Sequence, residues 1–256
     1  MFDTRRWFWR LRGVFYVAPA AWRLAAGCLF VFIVQWITDR VLFARGYTFE
    51  TLLRYLFGLN GGLLLKGFFW QPVTSLFLHA GWFHLVMNLF GLLVFGIPVE
   101  REMGSRRLYT FLFAGGVIGG LFWLGMTALL PLLPPMGFLA SWIPQEAAEL
   151  LERTMGLSIA VRPASFQQAM CIGASGGVFA LMGAFTAIDP DRELYALIAF
   201  LPIRMRMRTL AIVFLVSGLL DALFIQSQIA NSVHLAGGLA GYFLARFWLK
   251  RDPDNG

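Results

Sequence analysis

The sequence has few charged residues and very few cysteines and histidines. Only 14% of its 256 residues are charged, whereas 59% are hydrophobic. A soluble core of this length cannot bury so much apolar surface, so the composition excludes an ordinary soluble domain and predicts a polytopic membrane protein. With two cysteines and three histidines, the chain lacks a Cys/His cluster that would bind a metal, and it has no phosphate-binding loop. We expect neither a metal nor an organic cofactor.

Long apolar runs are what the sequence has instead, and six of them approach the roughly 20 residues that a spanning helix needs. They are residues 23–38, 79–99, 108–130, 166–188, 210–225 and 229–248. The predicted fold class is therefore an all-α membrane protein with six transmembrane helices in one domain. This domain comprises residues 23–250, with two outside segments at about 42–70 and 131–165, between an N-terminal tail 1–22 and a C-terminal tail 251–256.

The net charge of +7 does not indicate nucleic-acid binding, because most basic residues lie in short segments next to the predicted spans. Placing the arginine-rich N-terminal tail in the cytoplasm puts most of the other basic residues on the same side. This asymmetry follows the positive-inside rule. It predicts that both termini are cytoplasmic. The basic N-terminus fits a bacterial-type inner membrane, and an organelle is the alternative.

Polar side chains inside apolar spans are unfavourable and often mark function. His84 and Asn88 lie in the second predicted span, Ser175 lies among glycines in the fourth, and His234 lies in the sixth. These three spans run in the same direction across the membrane. With a rise of about 1.5 Å per residue, the histidines and the serine lie roughly 8 to 13 Å below the outer ends of their spans. The sequence therefore predicts that they converge.

Small residues would allow the helices that carry Ser175 and His234 to approach closely. Gly237 and Gly241 form a Gly-xxx-Gly pair that starts near His234, and Gly173 is one of several small residues beside Ser175. A serine and a histidine in hydrogen-bonding contact suit acyl transfer, with the serine as nucleophile and the histidine as base. The pattern predicts a serine hydrolase inside a membrane.

Other polar and aromatic residues have predicted supporting roles. His84 and Asn88 share a helix face and are expected to donate hydrogen bonds to the developing oxyanion, together with the Ser175 amide. Phe179 follows the serine by one turn and is expected to pack against the catalytic imidazole. His79, at the mouth of the second span, is expected to have a structural hydrogen-bonding role.

Taken singly, these features have simpler interpretations. Clusters of small residues usually serve helix packing, and an intramembrane histidine is more often structural or part of a proton relay. A transporter or proton channel that uses the histidines, Asn88 and Asp221 is a further alternative. It predicts charge-dependent flux and no need for Ser175, and the sequence lacks the inverted repeat that would favour it.

The sequence resembles the rhomboid family of intramembrane serine proteases over residues 70–241. The matching residues are Trp70-Gln71-Pro72-Val73-Thr74-Ser75-Leu76-Phe77-Leu78-His79, His84, Asn88, Glu100, Gly104-Ser105, Gly173-Ala174-Ser175-Gly176, His234-Leu235, Gly237 and Gly241. The resemblance implies a six-helix rhomboid bundle whose cavity opens to the outside and no cofactor. It also implies cleavage of single-span or polytopic membrane proteins, within the lipid bilayer near its outer boundary. Ser175 and His234 would form the dyad, and His84 and Asn88 the oxyanion hole.

Three features depart from the family pattern. Gln71 stands where many members have Arg, Phe179 stands where several have Tyr, and the outside segment 131–165 is longer than expected. Rhomboid-like pseudoproteases and derlin-type proteins keep the fold without the dyad, and bind or dislocate membrane proteins. Because Ser175 and His234 are both present, a protease is favoured, and the binding function is the alternative. The family also implies substrates with small or helix-breaking residues near the cut.

Overall fold

The computed structural model describes residues 18–44, 52–129, 169–198, 201–220 and 231–251, which are mostly helical. In chain order the helices are α1 (Pro19–Ala44), α2 (Leu52–Phe57), α3 (Gly61–Leu64), α4 (Gln71–Thr74), α5 (Trp82–Met103), α6 (Ser105–Leu129), α7 (Ser175–Ile188), α8 (Met207–Leu220) and α9 (Asn231–Arg251). A 3₁₀ turn follows α4, and strands β1 (Glu193–Ile198) and β2 (Leu201–Arg206) precede α8. The predicted tails beyond residues 18 and 251, the segment 131–165 and Asp221 lie outside the described residues.

Three of the described helices are long and apolar enough to cross a membrane, which is fewer than the six that the sequence predicts. They are Pro19–Val41, Trp82–Met103 and Ser105–Leu129. The apolar helices Ser175–Ile188 and Met207–Leu219 are shorter. Helix α9 has 21 residues but ends on the basic residues Lys250 and Arg251. The all-α class thus agrees with the described helices, whereas the count of six spans is not confirmed.

Helix α1 begins at Pro19, four residues before the start of the first predicted span. Pro19, at its first position, has no N–H to leave unpaired. The next two backbone N–H groups, of Ala20 and Ala21, donate to the two carboxylate oxygens of Glu100, each at 2.9 Å. Since the first N–H groups of a helix have no partner within it, Glu100 satisfies donors that would otherwise be buried and unpaired.

Helix α7 is shorter than the fourth predicted span, because it begins at Ser175 and not near residue 166. Gly173 has a φ of +119°, which ends any helical path before the serine. The chain before it is extended and pairs with another segment, through an isolated bridge between Leu59 and Cys171. Ser175 is therefore the first residue of a helix, and the depth estimate that treated it as part of a longer helix is wrong.

Helices α5, α7 and α9 run parallel, as the span count predicts. A Cβ added to Gly91 would lie 2.6 Å from Val178, and one added to Gly96 would lie 3.5 Å from Leu181, so α5 and α7 advance together. Helix α6 runs the other way. Its Gly119 lies against Val233 near the start of α9, while aromatic rings of Phe111 in α6 and Trp248 near the end of α9 are 5.1 Å apart. The parallel order brings the N-terminal ends of α5, α7 and α9 to one side of the bundle.

The segment between α7 and α8 forms an antiparallel hairpin. Its register pairs Glu193 with Arg206 and Leu194 with Met205. Leu194, Ala196 and Met205 pack against the helical core, while Glu193 and Arg206 are exposed. Side chains of a strand alternate between two faces, so the hairpin covers one end of the bundle with its apolar face.

Candidate active site

Ser175 and His234 are in direct contact. The Nε2 atom of His234 lies 2.9 Å from the Oγ atom of Ser175, although the two residues are 59 positions apart. Both side chains are partly buried. The serine is the first residue of α7, and the histidine lies in the first turn of α9. This distance suits a hydrogen bond from the hydroxyl to the imidazole.

Close helix packing makes this contact possible. A Cβ on Gly237 would overlap the backbone oxygen of Gly176, and one on Gly241 would overlap that of Ala180. Any side chain at these two positions would push α9 away from α7. The Gly-xxx-Gly pair predicted from the sequence thus lies at the helix interface, where small residues allow backbones to touch.

The imidazole of His234 stacks on the ring of Phe179. The ring centroids are 4.3 Å apart and the planes differ by 7°. Phe179 also meets Phe214 of α8 edge to face, at 5.2 Å. Within the described ranges no carboxylate pairs with His234, and no group of His, Cys, Asp and Glu is arranged to hold a metal ion. The stacked ring is therefore the group that the structure gives for orienting this imidazole.

His84 lies beside the loop that leads into Ser175. A Cβ added to Gly173 would lie 2.7 Å from Cε1 and 2.8 Å from Nε2 of the His84 ring. The backbone N–H of Gly173 donates to the carbonyl oxygen of Ser75 at 2.9 Å, which anchors the loop. Gly173 is thus needed both for its backbone conformation and for the space that the His84 ring occupies.

The hydrogen bonds of His84 define its tautomer. The backbone N–H of Ala80 donates to Nδ1 of His84 at 3.2 Å. Because a backbone N–H can only donate, Nδ1 must accept, and the proton of the neutral imidazole is on Nε2. The donor nitrogen of His84 is therefore the one that faces Gly173, two residues before the serine.

Asn88 lies one turn further along α5, on the face turned toward α7. It is buried, and its Nδ2 donates to the carbonyl oxygen of His84 at 2.8 Å. Gly91, three residues on, contacts Val178, which is three residues after Ser175. Since α5 and α7 are parallel, Asn88 lies level with Ser175. One amide N–H of Asn88 is used inside its own helix, which leaves the second for a ligand.

His79 is fully buried and is hydrogen-bonded by neighbouring segments of the chain. Its Nδ1 lies 3.2 Å from the carbonyl oxygen of Phe77, and its ring lies edge to face with that of His84, at 5.3 Å. The side chain of Gln35 bonds both the N–H and the carbonyl of His79. The structural hydrogen-bonding role of His79 stays a prediction.

Two buried glutamines are residues whose structural positions the sequence interpretation missed. Gln35 in α1 is 2% exposed and bonds the backbone of His79. Gln71 is fully buried, donates to the carbonyl oxygen of Tyr55 at 3.0 Å and accepts from the N–H of Asn60 at 3.2 Å. Gln35 could have been singled out in the sequence as a polar residue inside an apolar run.

A cavity of about 580 Å³ lies between α7, α8 and α9. The stacked rings of His234 and Phe179 form part of its wall, and it extends to Thr186, Arg208 and Tyr242. Gly218 of α8 faces open space, with no atom within 4 Å of an added Cβ. His234 thus borders a mostly apolar space between these three helices.

Comparison with known proteins shows the family of the chain. Residues 66–251 match the family profile of the Rhomboid domain. RHOMBOID-like protein 5 of Arabidopsis thaliana is 24% identical over 200 residues, which cover 78% of this chain and 50% of that protein. Rhomboid protease GluP of Bacillus subtilis is 25% identical over 214 residues, or 77% of this chain and 32% of that protein.

A shorter match is to a relative that is named as inactive. Inactive RHOMBOID-like protein 8 of Arabidopsis thaliana is 42% identical over 53 residues, which cover 21% of this chain and 15% of that protein. The chain spans half or less of the length of each of these three relatives. The profile match covers well over half of the chain and includes Ser175, His234, His84 and Asn88. The chain belongs to the rhomboid family.

Proposed function

We propose that the chain is an intramembrane serine protease that hydrolyses peptide bonds of membrane-protein substrates near the outer membrane boundary. The observation that supports this most strongly is the 2.9 Å contact between Ser175 Oγ and His234 Nε2. The contact joins a nucleophile to a base in a chain with several apolar helices. Ser175 and His234 are the catalytic dyad of this proposal.

The proposed reaction has two acyl-transfer steps. His234 accepts the hydroxyl proton while Ser175 Oγ attacks the carbonyl carbon of the scissile bond. The tetrahedral intermediate collapses as the histidine gives that proton to the leaving amine, which departs and leaves an ester on the serine. A water molecule, deprotonated by the same histidine, then attacks the ester. The second tetrahedral intermediate then collapses, which returns the proton to Ser175 and releases the carboxylate product.

Three donors are proposed to stabilise the oxyanion. They are the Nε2–H of His84, the free amide N–H of Asn88, and the backbone N–H of Ser175. The last group is the first N–H of α7, where the helix dipole favours negative charge. Fixed donors of this kind are worth several kcal/mol when they meet the charge that develops in the transition state.

Substrates are proposed to be single-span or polytopic membrane proteins whose helices unwind at the cut. A helical peptide bond is shielded by its own hydrogen bonds, so small or helix-breaking residues near the cut should favour cleavage. The apolar cavity beside His234 suits an apolar side chain of the substrate. Replacing the helix-breaking residues of a cleaved substrate by leucine should reduce cleavage, and unchanged cleavage would contradict this.

Cleavage of a panel of single-span membrane proteins in liposomes tests the protease. The wild-type chain should produce fragments, and Ser175→Ala and His234→Ala should each abolish them. Ser217→Ala is the control, since this hydroxyl borders the cavity next to His234 but bonds the carbonyl of Phe214 in its own helix. Cleavage that persists in Ser175→Ala would overturn the dyad.

A binding or dislocation factor is the alternative, and the similarity to a relative named inactive is the observation that favours it. This alternative predicts that a folded wild-type chain cleaves no member of the panel, yet captures membrane proteins equally well with and without Ser175. Capture that depends on blocking the serine would instead favour the protease.

We also propose that the chain resides in a bacterial-type inner membrane with both termini in the cytoplasm. Basic residues close to the ends of α7 and α9, such as Arg192, Arg208 and Lys250, support this orientation through the positive-inside rule. A C-terminal green fluorescent protein should fluoresce, and a C-terminal periplasmic phosphatase should be inactive. The opposite pair of results would reverse the orientation.

A further inference from the structure

We propose that Gln35 and Arg54 are positioning residues, which hold the peptide segment 79–80 so that His84 keeps its Nε2–H toward Ser175. This inference rests on the proposed function, because it assigns a purpose to the tautomer of His84. Neither residue belongs to the dyad or to the three proposed oxyanion donors. Each would act on the reaction only through His84.

Gln35 fixes the first half of the segment from a distant helix. Its Nε2 donates to the carbonyl oxygen of His79 at 2.9 Å, and its Oε1 accepts from the N–H of His79 at 3.3 Å. The side chain thus bonds both polar groups of one residue, as a neighbouring β-strand would. Because Gln35 is 2% exposed, no water competes for these bonds.

Arg54 fixes the second half of the segment. One terminal guanidinium nitrogen of Arg54 donates to the carbonyl oxygen of Ala80 at 3.3 Å. Arg54 lies in the short helix α2. The side chains of Trp70 and Gln71 also hold this helix, since both donate to the carbonyl oxygen of Leu56. The guanidinium therefore links the outer short helices to the chain just before α5.

The orientation of the peptide group between His79 and Ala80 decides which nitrogen of His84 is protonated. Its N–H, that of Ala80, points at Nδ1 of His84, 3.2 Å away, and its carbonyl, that of His79, accepts from Gln35. If this peptide group turned over, the carbonyl of His79 would face the imidazole and favour a proton on Nδ1. Nε2 would then present a lone pair to the oxyanion and repel it. Gln35 excludes that arrangement by holding the carbonyl of His79, and Arg54 holds the carbonyl of Ala80 in the next peptide group.

Nitrogen-15 NMR of the histidine rings tests directly whether Gln35 and Arg54 set the tautomer of His84. The chain has three histidines, so the ring of His84 is assigned by its loss in His84→Ala. Spectra are recorded on the Ser175→Ala chain in detergent micelles, which makes the result independent of proteolysis. His84 should be the Nε2–H tautomer, and Gln35→Met should move a measurable fraction to Nδ1–H. An unchanged tautomer in Gln35→Met and Arg54→Met would overturn the proposal.

A double-mutant cycle tests whether the effect reaches the reaction. Gln35→Met should lower kcat about tenfold, with KM nearly unchanged. This loss is smaller than the roughly 10²- to 10³-fold loss expected when an oxyanion donor is removed outright. In the His84→Ala background the same change should have little further effect on kcat, since it acts through His84. An equal loss of kcat in both backgrounds would overturn the proposal.

Gln71→Met is the matched control, because Gln71 is also buried and also bonds backbone groups, but not those beside His84. Its effect on kcat should add to that of His84→Ala. Arg54→Met keeps the test available where Gln35→Met does not fold, since Arg54 is only partly buried. Arg54→Lys, which retains a donor, should restore most of kcat. If the wild-type chain cleaves nothing, the proposed function is refuted but the positioning role is not. The NMR comparison still tests whether Gln35 and Arg54 set the tautomer of His84.

Discussion

At the scale of single residues, the imidazole of His234 depends on an aromatic ring where many serine hydrolases use a carboxylate. The ring of Phe179 lies parallel to it, at 4.3 Å, and bears no hydroxyl that could add a hydrogen bond. Stacking fixes the plane of the imidazole but does not fix rotation within that plane. The packing of Phe179 against Phe214 therefore matters for the geometry of the dyad.

Phe179→Leu should reduce kcat without changing the fold. Ring pairs contribute about 0.5 to 1.5 kcal/mol beyond the area they bury, which corresponds to about a two- to tenfold loss in rate. Phe179→Tyr keeps the ring and should retain activity. The measurement is kcat on a cleaved substrate in liposomes, and a Leu variant as active as the Tyr variant would contradict the role of stacking.

Gly173→Ala should abolish most activity through His84. The added Cβ lies under 3 Å from the imidazole, at a φ of +119°, so the ring must move and an oxyanion donor is lost. We expect a drop in kcat on the order of 10²-fold. Gly67→Ala is the control, since Gly67 also has a positive φ of +98° but open space around it. A Gly173→Ala enzyme with wild-type kcat would refute this use of the glycine.

The residues of the proposed dyad and oxyanion hole could be singled out from the sequence because their types are rare in apolar runs. Ser175, His234, His84 and Asn88 each stand out against hydrophobic neighbours, and the structure brings the first two into contact. The contacts of Gln35 with His79 were not predictable, because they join a side chain to the backbone of a segment 44 residues away. Nothing about the identity of His79 requires that partner.

At the scale of elements, close contact between α7 and α9 places the serine against the histidine. Gly176 and Gly237 touch through their backbones, and so do Ala180 and Gly241 one turn further on. The same two helices enclose the cavity with α8. A methyl group added at this interface would therefore push α9 away from α7. It would change both the stability of the chain and the distance between Ser175 and His234.

Gly241→Ala should destabilise the chain, although alanine is the better helix former by about 1 kcal/mol. Its Cβ would overlap the carbonyl oxygen of Ala180, and overpacking of this kind costs about 1 to 3 kcal/mol. Gly125→Ala in α6, where an added Cβ meets no atom within 4 Å, should be neutral or stabilising. Unfolding in mixed SDS micelles measures both, and equal behaviour would contradict tight packing at Gly241.

Helix boundaries were the elements that the sequence predicted least well. Apolar composition continues from residue 166 to 188, yet α7 begins at Ser175 because Gly173 takes a positive φ and the chain before it pairs with Leu59. Hydropathy does not report such a turn. The hairpin was predictable in principle, because Arg204 and Arg206 alternate with apolar residues in the two-residue period of a strand.

At the scale of the whole molecule, Glu100 joins three helices. Its carboxylate accepts from the N–H groups of Ala20 and Ala21 at the start of α1 and from the hydroxyl of Ser105, at 2.6 Å, at the start of α6. Glu100 itself lies near the end of α5 and is 4% exposed. One side chain thus links the helical ends on one side of the bundle.

Glu100→Leu should lower the free energy of unfolding by at least about 2 kcal/mol, because each buried donor left without a partner costs about 1 to 3 kcal/mol. Glu100→Gln keeps one acceptor oxygen and should have an intermediate effect. Glu102→Leu, an exposed glutamate on the same helix, is the control. Thermal unfolding in detergent compares the three variants, and similar Tm values for Glu100→Leu and Glu102→Leu would contradict the link.

The order and direction of the helices were predictable from the alternation of apolar segments and basic residues. Parallel α5, α7 and α9 follow from counting spans, and the described contacts have that arrangement. The number of membrane crossings was not fixed by the same reasoning. In this chain the length of a helix and its apolar character do not go together. Helix α7 is apolar but short, and α9 is longer but ends in basic residues.

The shortness of α7 has a consequence for the bilayer itself. Its 14 residues span about 21 Å, whereas the hydrocarbon core of a typical bilayer is about 30 Å thick. With the Asp189 end of α7 at the inner boundary, the first residue of the helix stops about 9 Å short of the outer boundary. Water from the outer side would need to cross only this remaining distance to reach Ser175. A thicker bilayer should therefore slow hydrolysis by lengthening the path of the water, while leaving the dyad unchanged.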